Sequence, residues 1–378
     1  MPESVPQRPS LGVWLRRLVL TGVAGMAVLA SAELGARADD WLFNGVPLLS
    51  NPRYEDLLVS DGRTLRGRPH GQFGKWRLNA EGFRGPELVE ARPRCCPRVV
   101  ILGASEAFGY LESPDREFPA AVRAELARRG ECAEIINAAL AGMTVRSMSG
   151  YWEYWVASFR PDIVIIYPST HLYLGHLGEL PAADAPPPQA VPLTPIVNHW
   201  NSRYLDRLRN VIDTPEFIAK WRREKKLQSL IAASAADGPV FAAVPDERLD
   251  MLGADLSRLA ERIRHAGAQP VIMTHAMRAE SPARAADFAD LNAMRQFLPR
   301  APEPVIAAFD AAANQRIREL GPALGVPVID IAHAVGGQRE LFGDLVHFTD
   351  EGARRVGTEV AGALATINRQ RPACSQTN

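Results

Sequence analysis

Five short apolar runs recur along the chain, at Val99 to Leu102, Glu134 to Ala139, Ile163 to Tyr167, Pro270 to Thr274 and Val326 to Ile331. Their length and nearly continuous apolar character fit strands covered on both faces. Between them the spacing changes to three and four residues. Phe118, Val122 and Leu126 mark one helix face, which Gly130 ends because glycine accepts the left-handed backbone of a helix terminus. Val145, Met148, Trp152, Trp155 and Phe159 mark a second face. Leu249, Leu252, Leu256, Leu259 and Ile263 mark a third, and Val356, Val360, Leu364 and Ile367 the last. Strand-like runs alternating with amphipathic helices predict an α/β fold, a five-stranded parallel sheet with helices on both sides. Trp152 and Trp155 belong to an apolar stripe of the ordinary core-packing kind, whereas Tyr151 and Tyr154 fall beside it and could face outward toward a sugar.

Two segments interrupt this alternation. Residues 177–244 open with the Pro-rich "LPAADAPPPQAVPLTP" and continue into "AKWRREKKLQSL", whose charges read as a solvated helix face. Residues 278–304 form a shorter Ala-rich and Pro-rich excursion. Both leave from the carboxyl ends of strands, where open α/β sheets bind ligands, so both are candidate walls or lids. Ahead of the first strand, residues 39–97 are rich in Arg, Gly and Pro and read as a loop-rich lead-in. The predicted domain then runs over 98–368, with a tail at 369–378.

The amino terminus follows a different pattern. Leu18 to Ala32 carries no charge, is preceded by Arg8, Arg16 and Arg17, and is followed by Asp39 and Asp40. Extended to Ala38 it reaches ~20 residues, enough for a membrane-spanning helix. The basic flank orients residues 1–17 to the cytoplasm and the remainder to the outside. Ala30-Ser31-Ala32 would suit a signal peptidase, but "LASAELGAR" lacks the polar stretch usual before a cleavage site, so the segment 18–38 is expected to stay as an anchor. The expected location of the domain is therefore extracytoplasmic, periplasmic and tethered to the cytoplasmic membrane.

Composition refines this picture. The hydrophobic share of 47% supports a sizeable core, and 43 basic residues balance 43 acidic ones. No overall field favours a polyanion, so no nucleic-acid partner is expected, and nothing identifies a protein partner. Export permits disulfides. The four cysteines lack zinc-site spacing; Cys95 and Cys96 precede the first strand, Cys132 precedes the second and Cys374 follows the last helix. All four therefore fall at one end of the sheet, and Cys132 is expected to bridge Cys95 or Cys96, with Cys374 a candidate for the other.

The chemistry gathers at the opposite end. In "VVILGASEAFGYLE" the apolar run breaks at Gly103 and places Ser105 just beyond the first strand, with Gly109 following. A serine hydroxyl becomes a nucleophile only beside a base that a third group orients. Near the other end of the chain, "GDLVHFTDEG" supplies Asp344 and His347, close enough for one turn to join carboxylate and imidazole. "INAALAGMT" puts Gly142 after the second strand, "YPSTHLYL" puts His171 after the third, and "IMTHAM" puts His275 after the fourth. His171, His275 and His347 lack metal-ligand spacing, so no metal or other cofactor is expected, and His275 is assigned with Ala104 to the pocket lining. No glycine-rich phosphate loop follows any strand, which excludes a nucleotide-binding reading.

In this order and at these positions the blocks resemble the SGNH, or GDSL-like, hydrolase family. "ILGASEAFG" matches the block with the nucleophile, "NAALAG" the block whose glycine helps bind an oxyanion, and "DLVHFTDEGARRVG" the closing block; "RLNAEGFRGPE" resembles a lead-in of anchored members. The resemblance implies a flavodoxin-like three-layer fold with Ser105 as nucleophile, His347 as base, Asp344 as its orienter, and an oxyanion hole from Ser105 and Gly142. Two positions depart from the family pattern. Ala104 stands where the family has Asp, and His171 where it has an Asn oxyanion donor; a neutral imidazole can still donate one N–H. The expected function is a serine esterase for small O-acetyl-type esters, with an acylated extracytoplasmic glycan or a small ester as substrate. An O-acyltransferase acting on a polysaccharide with the same residues and a noncatalytic glycan-binding or assembly protein are the alternatives.

Overall fold

The apolar runs pair as one parallel sheet in a computed structural model that describes residues 11–51, 53–60, 62–89, 96–175, 202–211, 216–234 and 238–370. Its strands are β1 (Arg98–Gly103), β2 (Glu134–Asn137), β3 (Ile163–Tyr167), β4 (Gln269–Met273) and β5 (Val328–Ile329), arranged β2-β1-β3-β4-β5. Register sets Val100 beside Ile136 on one side and Val164 on the other. The chain order reverses between β1 and β3, which opens a crevice beyond their carboxyl ends.

Alternation of side chains along each strand divides the core into two layers. Val99, Ile101, Ile163 and Ile165 pack with the helices Phe118–Arg128 and Asp350–Gln370. Val100, Leu102, Val164 and Ile166 pack on the other face with the helices Val145–Tyr154, Asp246–His265 and Glu303–Leu324. Of the two tyrosines that could face outward, Tyr151 is buried at 1% exposure, whereas Tyr154 is 48% exposed. The helix Glu303–Leu324 escapes the periodicity analysis. Asp310 and Asn314 lie on its buried face among Ile306, Phe309, Ala313 and Ile317, and so break its apolar stripe.

The lead-in is more ordered than its composition implies. It folds into two small antiparallel hairpins, Leu58–Ser60 with Leu65–Gly67 and Gln72–Phe73 with Trp76–Arg77. Beyond them Arg84 is buried and donates to the carbonyl of Phe108 at 2.7 Å. It thereby braces the turn that follows Ser105. Gly109 in that turn has φ 86°, and a Cβ there would lie 2.4 Å from that of Glu117.

Residues Met1–Arg53 with Ile196–Glu216 form a compact unit of their own, distinct from Tyr54–Pro195 with Phe217–Asn378. In the first unit, Leu11–Asn44 is one helix of 34 residues. Among the described residues one helix, Gly12–Asn44, is long and apolar enough to cross a membrane. Its charged end is paired within the unit: Glu33 with Arg37 at 2.6 Å, Asp40 with Arg203 at 3.2 Å and Asp39 with Arg207 at 2.7 Å. The Pro-rich stretch 180–195, Cys95 and Cys374 fall outside the described residues.

Cys96 and Cys132 are joined by a disulfide with Cα atoms 5.0 Å apart. The bond ties the segments that enter β1 and β2, at the end of the sheet away from Ser105. It spans 36 residues, a loop for which restricting the unfolded chain gives about 2–4 kcal/mol. Urea denaturation of Cys132→Ser is expected to reveal a loss of that size, and an unchanged midpoint would contradict it.

Candidate active site

Gly103 ends β1, and Ser105 opens the short helix Ser105–Phe108 at the crevice. Its Oγ is 2.8 Å from His347 Nε2, and His347 Nδ1 is 2.7 Å from Asp344 Oδ2. The Asp344–His347 turn holds its own geometry, because Asp344 Oδ1 also accepts the backbone N–H groups of Val346 at 3.0 Å and His347 at 2.8 Å. Burial would raise the Asp344 pKa, but the hydrogen bonds from His347 and from these amides hold it below the usual value. Burial would lower that of His347; its bond to Asp344 and the negative fields of Glu106 and Glu112 raise it instead. The three side chains thus form the arrangement that lets a neutral imidazole withdraw a hydroxyl proton.

Ser105, His347, Gly142 and His171 all line one cleft of about 610 Å³. Gly142 follows β2 with φ 78° and has open space where a Cβ would project, so the backbone angle rather than crowding selects glycine there. His171 lies on the turn Thr170–Leu174 after β3. It is 6% exposed, and its Nδ1 is buried with no hydrogen-bond partner among the described residues. Burial pushes its pKa down to about 4, so the imidazole is neutral at pH 7.

His275 and Ala104 occupy other places than the sequence suggests. Ala104 is 1% exposed in the core, and His275 is fully buried beneath the cleft. His275 Nδ1 is 2.6 Å from Asp310 Oδ1, and its Nε2 is 3.2 Å from Glu106 Oε1. Burial opposes its charge, yet the two carboxylates push its pKa up to about 10. It is an imidazolium held between two anions. Glu106 accepts in addition from Ser169 Oγ at 2.8 Å, and Ser105 Oγ is 3.3 Å from Glu106 Oε2. Thr170 Oγ1 donates to Asp310, Asn314 Nδ2 donates to it at 3.2 Å, and Asn314 Oδ1 accepts the His275 backbone N–H at 2.7 Å. Ser169 and Thr170 are therefore fastened to the two anions flanking His275, and His171 follows them directly.

Glu106, His171 and His275 also offer metal-ligand atoms within 4.8 Å of one another. Both nitrogens of His275 are engaged by carboxylates, and the imidazolium they favour has no lone pair for a metal. The cluster accordingly stands as a buried ion-pair network. Sequence reasoning missed Glu106, Ser169, Asp310 and Asn314. The available signals were a carboxylate inside the apolar block "ASEAF" and the four-residue spacing of two polar residues within a helix.

One comparison identifies the family. The model of the GDSL-like Lipase/Acylhydrolase family matches residues 101–355. This chain belongs to that family, and it is a hydrolase of the esterase and acylhydrolase kind. Among solved structures, the lipase/acylhydrolase from Enterococcus faecalis is 16% identical and covers 72% of this chain and 96% of its own, with a TM-score of 0.42. An acetyl xylan esterase is 12% identical over 71% of this chain and 99% of its own, with a TM-score of 0.41. A GDSL-like lipase from Bacteroides thetaiotaomicron is 12% identical over 74% and 93%, again at 0.41. No curated protein matches the chain.

Removing one carboxylate would leave His275 as a poorly compensated buried charge. Asp310→Ala is expected to cost about 3–5 kcal/mol, read as a lowered denaturation midpoint at pH 7. Because the folded pKa of His275 lies above its unfolded value of 6.5, its contribution is complete below pH 6.5 and fades as pH rises through about 10. The deficit of the variant should accordingly shrink in alkaline buffer; a deficit independent of pH would contradict the charged assignment.

Proposed function

We propose that this protein is a serine esterase, held at the cytoplasmic membrane by residues 18–38, with residues 1–17 in the cytoplasm and the hydrolase domain outside. The observation that supports it most directly is the chain of hydrogen bonds from Ser105 through His347 to Asp344 at the floor of one cleft. His347 Nε2 takes the proton as Ser105 Oγ attacks the ester carbonyl carbon, and Asp344 steadies the imidazolium. The backbone N–H groups of Ser105 and Gly142 receive the oxyanion, and neutral His171 adds a side-chain N–H. As the tetrahedral intermediate collapses, the carbon–oxygen ester bond breaks and His347 gives its proton to the departing alcohol. Water, deprotonated by His347, then releases the acid from the acyl-enzyme and restores the Ser105 hydroxyl.

A glycan-bound O-acetyl ester outside the membrane is one substrate such a site would take. A sugar hydroxyl in place of water would make the same acyl-enzyme a transferase. Product analysis with and without an acceptor polysaccharide separates the two.

Ser105→Ala should lower the hydrolysis of p-nitrophenyl acetate by about 10⁴- to 10⁶-fold, the scale of loss when a nucleophile is removed. Equal rates for variant and wild type would favour a noncatalytic binding role. Because the His347 pKa is raised and the base must be neutral, kcat/KM should climb with pH and level off only above an apparent pKa higher than 6.5. An acid limb centred well below that value would contradict the assignment of His347.

A further inference from the structure

Among the described residues no carboxylate lines the cleft that holds Ser105, and one guanidinium does, that of Arg300. The turn after β3 and both excursions supply the walls, with Ser234 just past the helix Glu216–Ala233 in the first excursion and Arg300 in the second. Arg300 is 8% exposed and has no carboxylate partner among the described residues. Its Nε donates to the Pro239 carbonyl at 3.0 Å, its guanidinium lies 4.6 Å from the centre of the Phe241 ring, and its Nη1 is buried with no hydrogen-bond partner there. The backbone leaves room for this head: a Cβ on Gly238 would lie 2.8 Å from Nη2. Arg248, 1% exposed, stands 5.8 Å from the same ring and donates through Nη1 to the carbonyls of Tyr173 at 2.9 Å and Gly175 at 3.4 Å. Burial and the charge of Arg300 pull the Arg248 pKa down, against an upward pull from Glu247. A third cation, Lys226, donates to Gln296 on the cleft wall at 3.4 Å. Buried charges are ordinarily paired, because taking one out of water uncompensated is costly. Two guanidiniums around one ring carry that cost, and an anion arriving through the cleft would offset it.

We propose that Arg300, backed by Arg248, selects substrates by an anionic group, so that the esters cleaved at Ser105 carry a carboxylate or a phosphate away from the scissile bond. The inference rests on the serine-esterase reading and names its substrate class. One short segment links the two ends of the site. His171, assigned to the oxyanion, lies on the turn Thr170–Leu174, and Gly175, held by Arg248, follows it directly. An anion seated at Arg300 therefore fixes the ester relative to the oxyanion donors, and its binding energy is expressed as orientation at Ser105.

The test uses the purified full chain in detergent with matched pairs of charged and neutral esters. Ethyl hydrogen adipate against ethyl adipamate puts the carboxylate on the acyl side. The pair γ-acetoxybutyrate and γ-acetoxybutyramide puts it on the alcohol side, and acetylated glycerophosphate against acetylated glycerol tests phosphate. In at least one pair kcat/KM for the charged ester should exceed that of its neutral match by at least about tenfold, the scale of one hydrogen bond to a charged group. That pair identifies the anion and its side of the ester. Arg300→Leu should bring the ratio to about one or below, and Arg300→Lys, which keeps the charge without the fork, should fall between. Because the ratio is read within one preparation, a smaller folded fraction cancels. Ratios at or below one in every wild-type pair, with neutral esters still hydrolysed, would overturn the anion assignment and leave the esterase reading standing. So would a preference that neither variant lowers. If wild type and Ser105→Ala are equally inert on every ester, the esterase reading fails, and titration calorimetry of adipate and of glycerophosphate into Ser105→Ala decides the subsite. Saturable binding of either, weakened at least about tenfold by adding Arg300→Leu, supports it; no binding, or binding that Arg300→Leu leaves unchanged, overturns it.

Discussion

One hydrogen bond of 2.8 Å joins Ser105 to His347 across 242 positions of sequence. Nothing local can hold two such groups together, so the contact depends on the parallel sheet that brings the end of β1 and the loop before the last helix to one edge. The two core layers fix β1 from both faces, Arg84 braces the turn after it, and the disulfide fastens its far end. An error in register anywhere in that frame would displace the hydroxyl from the imidazole by more than a hydrogen bond tolerates.

Beneath that contact lies an arrangement costly enough to call for a reason. An imidazolium and two carboxylates are buried together where hydrophobic side chains would serve stability as well or better. What the charges add is direction. Glu106 belongs to the turn that carries Ser105, Asp310 to a helix on one face of the sheet, and Ser169 and Thr170 to the loop that presents His171. Three separate elements are thereby held to one geometry at the cleft, including the turn that carries His171.

The sheet was the most legible part of the molecule, because strands buried on both faces leave uninterrupted apolar runs. Ser105 was legible for a different reason, as a lone hydroxyl just past the end of the first strand, and Asp344 and His347 through their three-residue spacing together with the resemblance of their block to a family pattern. The helix Glu303–Leu324 was not legible, since Asp310 and Asn314 on its inner face look like solvent positions until their partner His275 is known. The same blindness placed His275 in the pocket. Periodicity records whether a side chain is apolar, and a polar group satisfied inside the core carries the signature of one outside it. Tyr151 shows the limit from the other side: its position beside the stripe suggested exposure, and helix packing buried it.

The walls of the cleft are supplied by the two excursions and by the turn after β3, whereas the reacting groups stand on the sheet edge and the final loop. Among the described residues those excursions contribute no strand. Replacing them would redraw what fits without shifting the atoms that react, so in this architecture selectivity and bond cleavage are separable in heredity, each free to drift while the other is conserved.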